Sequence, residues 1–322
     1  MKPKHYLLKV LISGLICCFL FLSLVYFQMA IPTESSRWIY EINIIKSKIA
    51  KSTASPKLIV VSGSSGLFDI SCKMIQKETK FPCVNAATHL GLDIGYILDF
   101  SRNIASEGDI ILMPLEYEVY KYDGKLSDVL IDYVFARDPS YITSRNLMTQ
   151  VHLFGGISFS RIARGIIGKF FPPTQRNFGY QSKTLNDYGD ETNNREADIT
   201  PSQVRRVAAE EPIGDLVEGG FIKSTNGMKL ISEFVAWCHN NNIKVIASWP
   251  SIIDFEEYNQ KSTQVFLKSI EDFYQSIKVP VIGNPMNFMH NRSLFYDTGY
   301  HLNDRGTRQH TKKIIDLLQA YL

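Results

Sequence analysis

Five short apolar runs rich in β-branched residues, separated by stretches of helical period, constrain this chain more than any other feature. They are Lys57 to Ser62 (KLIVVS), Pro82 to Ala86 (PCVNA), Asp109 to Leu115 (DIILMPL), Lys244 to Trp249 (KVIASW) and Val279 to Gly283 (VPVIG), bounded by Gly, Pro, Asn or Asp. Helical periodicity fills 66–79, 90–106, 226–241, 259–276 and 304–321. Parallel strands need crossover connections and are buried on both sides. The alternation therefore predicts an α/β fold, a three-layer parallel sheet with helices on both faces. It breaks from about 120 to 220, which reads as an insertion. Within it, Leu153 to Phe171 sets Arg161, Arg164 and Lys169 among apolar residues. A core or lid helix is the preferred reading of that segment, and a helix lying on a membrane surface or against a membrane partner is the alternative. The polar tract 181–196 has no apolar period and is expected to be a solvated, mobile loop.

Ahead of this domain, Val10 to Phe27 carries no charge and is apolar apart from Ser13, Gly14, Ser23 and Tyr26. At about 1.5 Å per residue it nearly crosses a hydrocarbon core of roughly 30 Å. Lys2, Lys4 and Lys9 precede it, so the N-terminus is expected in the cytoplasm and the rest of the chain outside. A cleaved signal peptide is the rival, although the run is long for one and Gln28-Met29-Ala30 matches a cleavage site poorly. The expected organisation is 1–30 as N-terminus and transmembrane anchor, 31–56 as a stalk or linker helix, and 57–322 as one domain carrying the insertion.

A formal charge of +3, without a basic run interleaved with aromatics, argues against nucleic acid. Outside the anchor the cysteines are Cys72, Cys83 and Cys238, whose spacing does not resemble a zinc site. No metal or cofactor is expected. An oxidising compartment would permit Cys72 to bridge Cys83, but buried free thiols are slightly preferred.

In an open α/β sheet, ligands sit outside the carboxyl ends of the strands, so one rim should collect Ser64, Asn85 to Gly91, Glu116 and the 295–303 loop. Ser62-Gly-Ser-Ser-Gly66 is a small-residue turn between a strand and a helix, open enough for an acyl group to approach; composition does not separate Ser64 from Ser65. The lysine of a phosphate-binding loop is missing after its glycines, and the turn lacks the first glycine of a nucleophile elbow. His152, His239 and His310 lie in the insertion or on helices, and His290 lies in a loop; His89 is nearer the rim. His301 stands four residues after Asp297, just ahead of Asn303, a helix-capping residue type. A histidine so placed can act as general base on a rim serine, with Asp297 holding its tautomer.

These segments, with Asn85-Ala-Ala-Thr-His-Leu-Gly91 and Gly108-Asp-Ile-Ile-Leu-Met-Pro-Leu-Glu-Tyr-Glu118, resemble the SGNH (GDSL-like) hydrolase superfamily. The likeness covers 57–120 and 225–320. It is narrower still to the membrane-anchored envelope members, of the DltD and alginate O-acetylation type. The resemblance implies an SGNH/flavodoxin-like fold with Ser64 as nucleophile, His301 as base and Asp297 as its partner. Gly91, Asn85, Ser65 and Glu116 would lie at the oxyanion or substrate site. It implies a serine acyl esterase or O-acyltransferase acting on a cell-envelope glycan at the bacterial cytoplasmic membrane, facing the periplasm, with a membrane-bound O-acyltransferase as a possible partner. The chain departs from the usual blocks in three places. Ser-Gly-Ser replaces Gly-Asp-Ser, three residues rather than two separate Asp297 from His301, and no G-x-N-D is present. The alternative implied by these departures is a non-catalytic assembly or scaffold protein that binds glycan or a membrane acyltransferase.

Overall fold

The computed structural model describes residues 3–171 and 180–322. The chain begins with α1 (Pro3–Phe27) and α2 (Glu34–Ser52), then enters β1 (Leu58–Val60), α3 (Ser64–Asp69), α4 (Cys72–Thr79), β2 (Cys83–Asn85), α5 (Asp93–Arg102) and β3 (Ile110–Pro114). Next come α6 (Glu118–Lys121), α7 (Asp128–Arg137), α8 (Pro139–Ser144), α9 (Leu147–Gly155), α10 (Phe159–Phe170), α11 (Pro201–Ala208) and α12 (Gly214–Glu218). It closes with α13 (Asn226–Asn240), β4 (Lys244–Ser248), β5 (Ile252–Ile253), α14 (Lys261–Ser276), β6 (Met289–His290) and α15 (Asp304–Leu318).

Four of the five apolar runs form a parallel sheet in the order β2-β1-β3-β4. Leu58 stands opposite both Cys83 and Ile110, and Ile110 opposite Lys244, so the carboxyl ends share one rim. The fifth run contributes a single parallel bridge, Val281 to Ala247. Burial on both sides explains the unbroken Leu-Ile-Val of β1, which is wholly buried. The expected helix over 66–79 is two helices. Ile70 is extended and the Ser71 hydroxyl accepts the Met74 N–H at the start of α4. A second, two-stranded parallel pair, β5 with β6, was not anticipated.

The chain forms two compact units, Met1–Tyr40 with Leu126–Gly179, and Glu41–Lys125 with Tyr180–Leu322. The 120–220 interval is thus divided between them. In the first unit α1 spans 25 residues and is long and apolar enough to cross a membrane. There Arg161 pairs with Asp132 at 2.6 Å, and Thr33 and Ser35 donate to the same carboxylate at 2.8 and 2.6 Å.

In the second unit the structure corrects two expectations. The polar tract is not a solvated, mobile loop: Asp190, Glu191 and Asn194 are buried. Asp190 accepts the N–H groups of Cys72 (2.8 Å) and Lys73 (3.1 Å), and Tyr188 O accepts the Asn85 N–H at 2.8 Å. The tract lacks an apolar period because carboxylates and amides meeting backbone groups, rather than an apolar stripe, hold it down. Cys72 and Cys83 are joined in a disulfide, with Cα atoms 5.0 Å apart.

At the amino edge of the sheet, Lys57 Nζ meets Asp109 Oδ2 at 2.9 Å, both side chains being buried. Asp109 also accepts the N–H groups of Lys57 (3.1 Å) and Ser106 (2.9 Å). Removing one member of a buried pair leaves a charge unpaired. Asp109→Ala should therefore lower unfolding stability by about 3–5 kcal/mol, and more than Lys57→Met, after which Asp109 retains two amide donors. Denaturant titration of the full chain in detergent measures both.

Candidate functional site

The turn after β1 is built from residues with little or no side chain because its surroundings leave no room. A Cβ on Gly66 would lie 2.7 Å from the Ser62 Cβ, and one on Gly63 would overlap the Glu116 carboxylate. Of the turn's serines, Ser62 and Ser65 are buried and Ser64 is partly exposed. Ser62 Oγ donates to Pro114 O at 2.7 Å and lies 3.2 Å from Ser65 Oγ. Ser64, the first residue of α3, is thus the more accessible of the two serines that composition does not separate.

Glu116, at the end of β3, is buried and accepts the N–H groups of Gly63 at 3.1 Å and Ser65 at 3.0 Å. Its carboxylate therefore occupies two amides of the turn. Asn85 donates to Gly66 O and Ile70 O, both at 2.9 Å, so its amide hydrogens are spent on the backbone of α3 and its exit. The Gly91 N–H donates to His89 Nδ1 at 2.9 Å. Burial first, then the charge of His301, holds His89 below the usual histidine range, so it is neutral with its proton on Nε2.

The 295–302 loop is closed by an antiparallel bridge between Phe295 and Leu302 and by Tyr296 N–H donating to His301 O at 2.7 Å. This curl brings Asp297 Oδ1 within 2.8 Å of His301 Nδ1 across the longer, three-residue interval. A carboxylate only accepts, so Nδ1 is the donor, and in the neutral imidazole this tautomer leaves the lone pair of a general base on Nε2. Burial, the largest influence on Asp297, pushes its carboxyl up. The hydrogen bond and charge of His301, the Tyr180 hydroxyl and Arg206 together outweigh it and hold the group below the usual range.

Tyr180 carries no signal in the sequence, yet its hydroxyl donates to Asp297 Oδ2 and lies 3.3 Å from His301 Nδ1. Burial first and then the Asp297 charge raise the phenol, which stays a donor. The His301 ring stacks on Phe68, centroids 4.2 Å apart and planes 13° from parallel. Phe68 follows Ser64 by four residues in α3, so the two share a helix face with Cβ atoms about 5–6 Å apart. Ser64 and His301 thus each neighbour Phe68, one along α3 and one by stacking, and no hydrogen bond joins the serine to the imidazole.

The carboxyl end of α3 is fastened to the same loop. Asp69 accepts the Leu302 N–H at 2.9 Å on Oδ1 and the Ser251 hydroxyl on Oδ2, while Thr307 Oγ1 donates to Phe68 O at 2.7 Å. Burial drives the Asp69 carboxyl well above its usual range, and Glu116 adds to the effect, against the two hydrogen bonds. Beside the loop opens a cleft of about 360 Å³ whose lining includes Glu118, Ile252, Phe255, Tyr258, Gly299 and Tyr300. Tyr300 donates to Glu118 at 2.6 Å. Among the described residues no group of three or more His, Cys, Asp or Glu is placed to hold a metal ion.

Asp69 and Asp297 should pull the pH dependence of stability in opposite directions. For Asp69 the folded state binds the proton more tightly, so its contribution is full below the unfolded value of about 3.9 and declines as pH rises through the folded one. For Asp297 the contribution is present above about 3.9 and is lost as pH falls through the lowered folded value. Asp69→Asn, which keeps one acceptor and one donor, should fold and lose less stability between acid and neutral pH than wild type. Asp69→Ala should cost about 1–3 kcal/mol by stranding the Leu302 N–H. Asp297→Asn should flatten the acid limb. Thermal unfolding across pH reads all three. No protein-family model and no curated protein matches the chain, so its chemistry has to be read from these residues.

Proposed function

We propose that this chain is a serine acyl esterase or O-acyltransferase of the SGNH type, held outside the cytoplasm by α1 and acting on a cell-envelope glycan. The observation that carries the reading is the Asp297–His301 pair, its ring stacked on Phe68 one helical turn from Ser64. The strand order, extended by the Val281 bridge, fits the flavodoxin-like arrangement and its three-layer form. The Cys72–Cys83 bridge suits an oxidising, extracytoplasmic compartment.

In the proposed cycle, Ser64 Oγ adds to the acyl carbonyl while His301 Nε2 takes its proton. The tetrahedral adduct collapses to a Ser64 ester, and the departing alcohol leaves with the proton from His301. Water or a sugar hydroxyl, deprotonated by His301, then attacks the ester; the acyl group leaves as an acid or a new ester and the proton returns to Ser64. Asp297 holds the imidazole and offsets its positive charge, and Tyr180 fixes Asp297. These steps draw on no metal or cofactor. A membrane-bound O-acyltransferase is the class of partner that would deliver the acyl group.

One observation favours a second reading, a non-catalytic scaffold that binds glycan or a membrane acyltransferase. Glu116 holds the Gly63 and Ser65 amides, which an oxyanion beside Ser64 would otherwise use. Fluorophosphonate labelling of the full chain in detergent separates the two. The enzyme reading expects an adduct on Ser64 that Ser64→Ala and His301→Ala abolish, and that Asp297→Asn slows by on the order of 10³-fold. Absence of an adduct on the wild-type protein returns the weight to the scaffold.

A further inference from the structure

In the first unit, α9 and α10 are joined through Gly155 and Gly156 and present their apolar side chains outward. Leu147, Met148 and Val151 on α9 are 76%, 65% and 55% exposed, and Phe159, Ile167 and Phe170 on α10 are 84%, 57% and 65% exposed. The α10 positions, with exposed Ala163, follow the spacing i, i+4, i+8, i+11, a single stripe. The opposite stripe, Arg161, Ile162 and Gly165, is buried, so α10 is not a core helix. In the second unit, by contrast, exposed large apolar residues such as Ile44, Val204, Phe221 and Val265 are scattered singly, which is ordinary for a protein surface.

Two further observations identify what covers the stripe. The first is its place beside α1. Lys169 Nζ sits 3.8 Å from the centroid of the Phe27 ring, Arg161 donates to Gln28, and a Cβ on Gly168 would lie 3.4 Å from Ile31. Contact at Phe27, Gln28 and Ile31 sets α10 at the level where the apolar run of α1 ends. The second is charge. From Pro139 to Phe171 the chain has Arg145, Arg161, Arg164 and Lys169 and no Asp or Glu. Arg161 is paired with Asp132, while Arg164 and Lys169 are exposed on α10 itself, adjoining the apolar stripe.

We infer that the α9–α10 hairpin lies in the interface of the bilayer that α1 crosses, its apolar stripe in the acyl boundary and Arg164 and Lys169 toward the lipid phosphates. Amphipathic helices with basic flanks and large apolar side chains bind at this depth, and long cationic side chains reach outward to the headgroups. The inference rests on α1 spanning the membrane, and it gives the chain a second, shallow attachment.

The test uses the full chain purified alone and reconstituted in nanodiscs containing anionic lipid. Single cysteines carrying an environment-sensitive fluorophore are placed by Phe159→Cys, Phe170→Cys and Leu147→Cys, with Cys17, Cys18 and Cys238 replaced. Two further single-cysteine variants serve as references, one that keeps native Cys17 in α1 and lacks Cys18 and Cys238, and one with Lys268→Cys on an exposed face of α14 and all three free cysteines replaced. Labels at the three hairpin positions should be quenched by doxyl groups near the headgroups and shielded from iodide, while Cys17 is quenched best by deeply placed doxyl groups. If Cys17 behaves so and the hairpin labels are quenched by iodide as strongly as Lys268→Cys, the inference fails while the anchor stands. If Cys17 is itself open to iodide, both fail. Shielding of the hairpin only when other membrane proteins are added would assign the stripe to a protein partner and would also overturn it.

Discussion

The clamp that Asp69 and Thr307 place between α3 and the loop before α15 is the contact on which the rest of the site depends. One carboxyl accepts the Leu302 N–H and the Ser251 hydroxyl, and the Thr307 hydroxyl donates to the Phe68 carbonyl. These bonds tie the turn after the first strand to residues 182 to 239 positions away. Without them, the stacking of His301 on Phe68 would not follow from the fold of either segment. Asp69 is buried and accepts here from an amide and a hydroxyl, so the clamp is built of hydrogen bonds rather than an ion pair.

A second layer is supplied by the polar tract from Tyr180 to Asn194. It caps α4 through Asp190, pairs with the end of β2 through Tyr188 and reaches the 295–302 loop twice. Tyr180 binds Asp297, and Asn194 donates to Leu302 O at 2.9 Å. Buried Lys46 joins this layer, donating to Asn85 O at 2.8 Å. Burial lowers its ammonium to about 7, against the attraction of Asp190 and Glu191. A tract of this composition is stable only because its polar groups find partners, each of which would otherwise be costly to bury.

That distinction explains what could be read from the sequence. The strands were legible because Leu58 to Val60 and Ile110 to Pro114 are buried on both faces, and burial of that kind imposes β-branched apolar residues. Asp297 and His301 were legible because they share one short loop, with Asn303 capping the helix that follows through the Gly306 N–H. Tyr180 and Asp190 were not, since their roles depend on partners far along the chain and leave no period or motif. Val279 to Gly283 carries the composition of a strand but makes a single bridge, a question of register that composition does not encode. The exposed stripe of α10 was visible as a period, but the direction it faces was fixed only by the pairing of Arg161 with Asp132.

Glu116 sits where a side chain on residue 63 would have to go, and it satisfies that residue's own N–H. A side chain on residue 63 and the carboxylate of residue 116 therefore compete for one volume. Any residue larger than glycine at 63 requires Glu116 to move or shorten, so the tolerance of one position is conditional on the other, although they stand 53 residues apart in the chain.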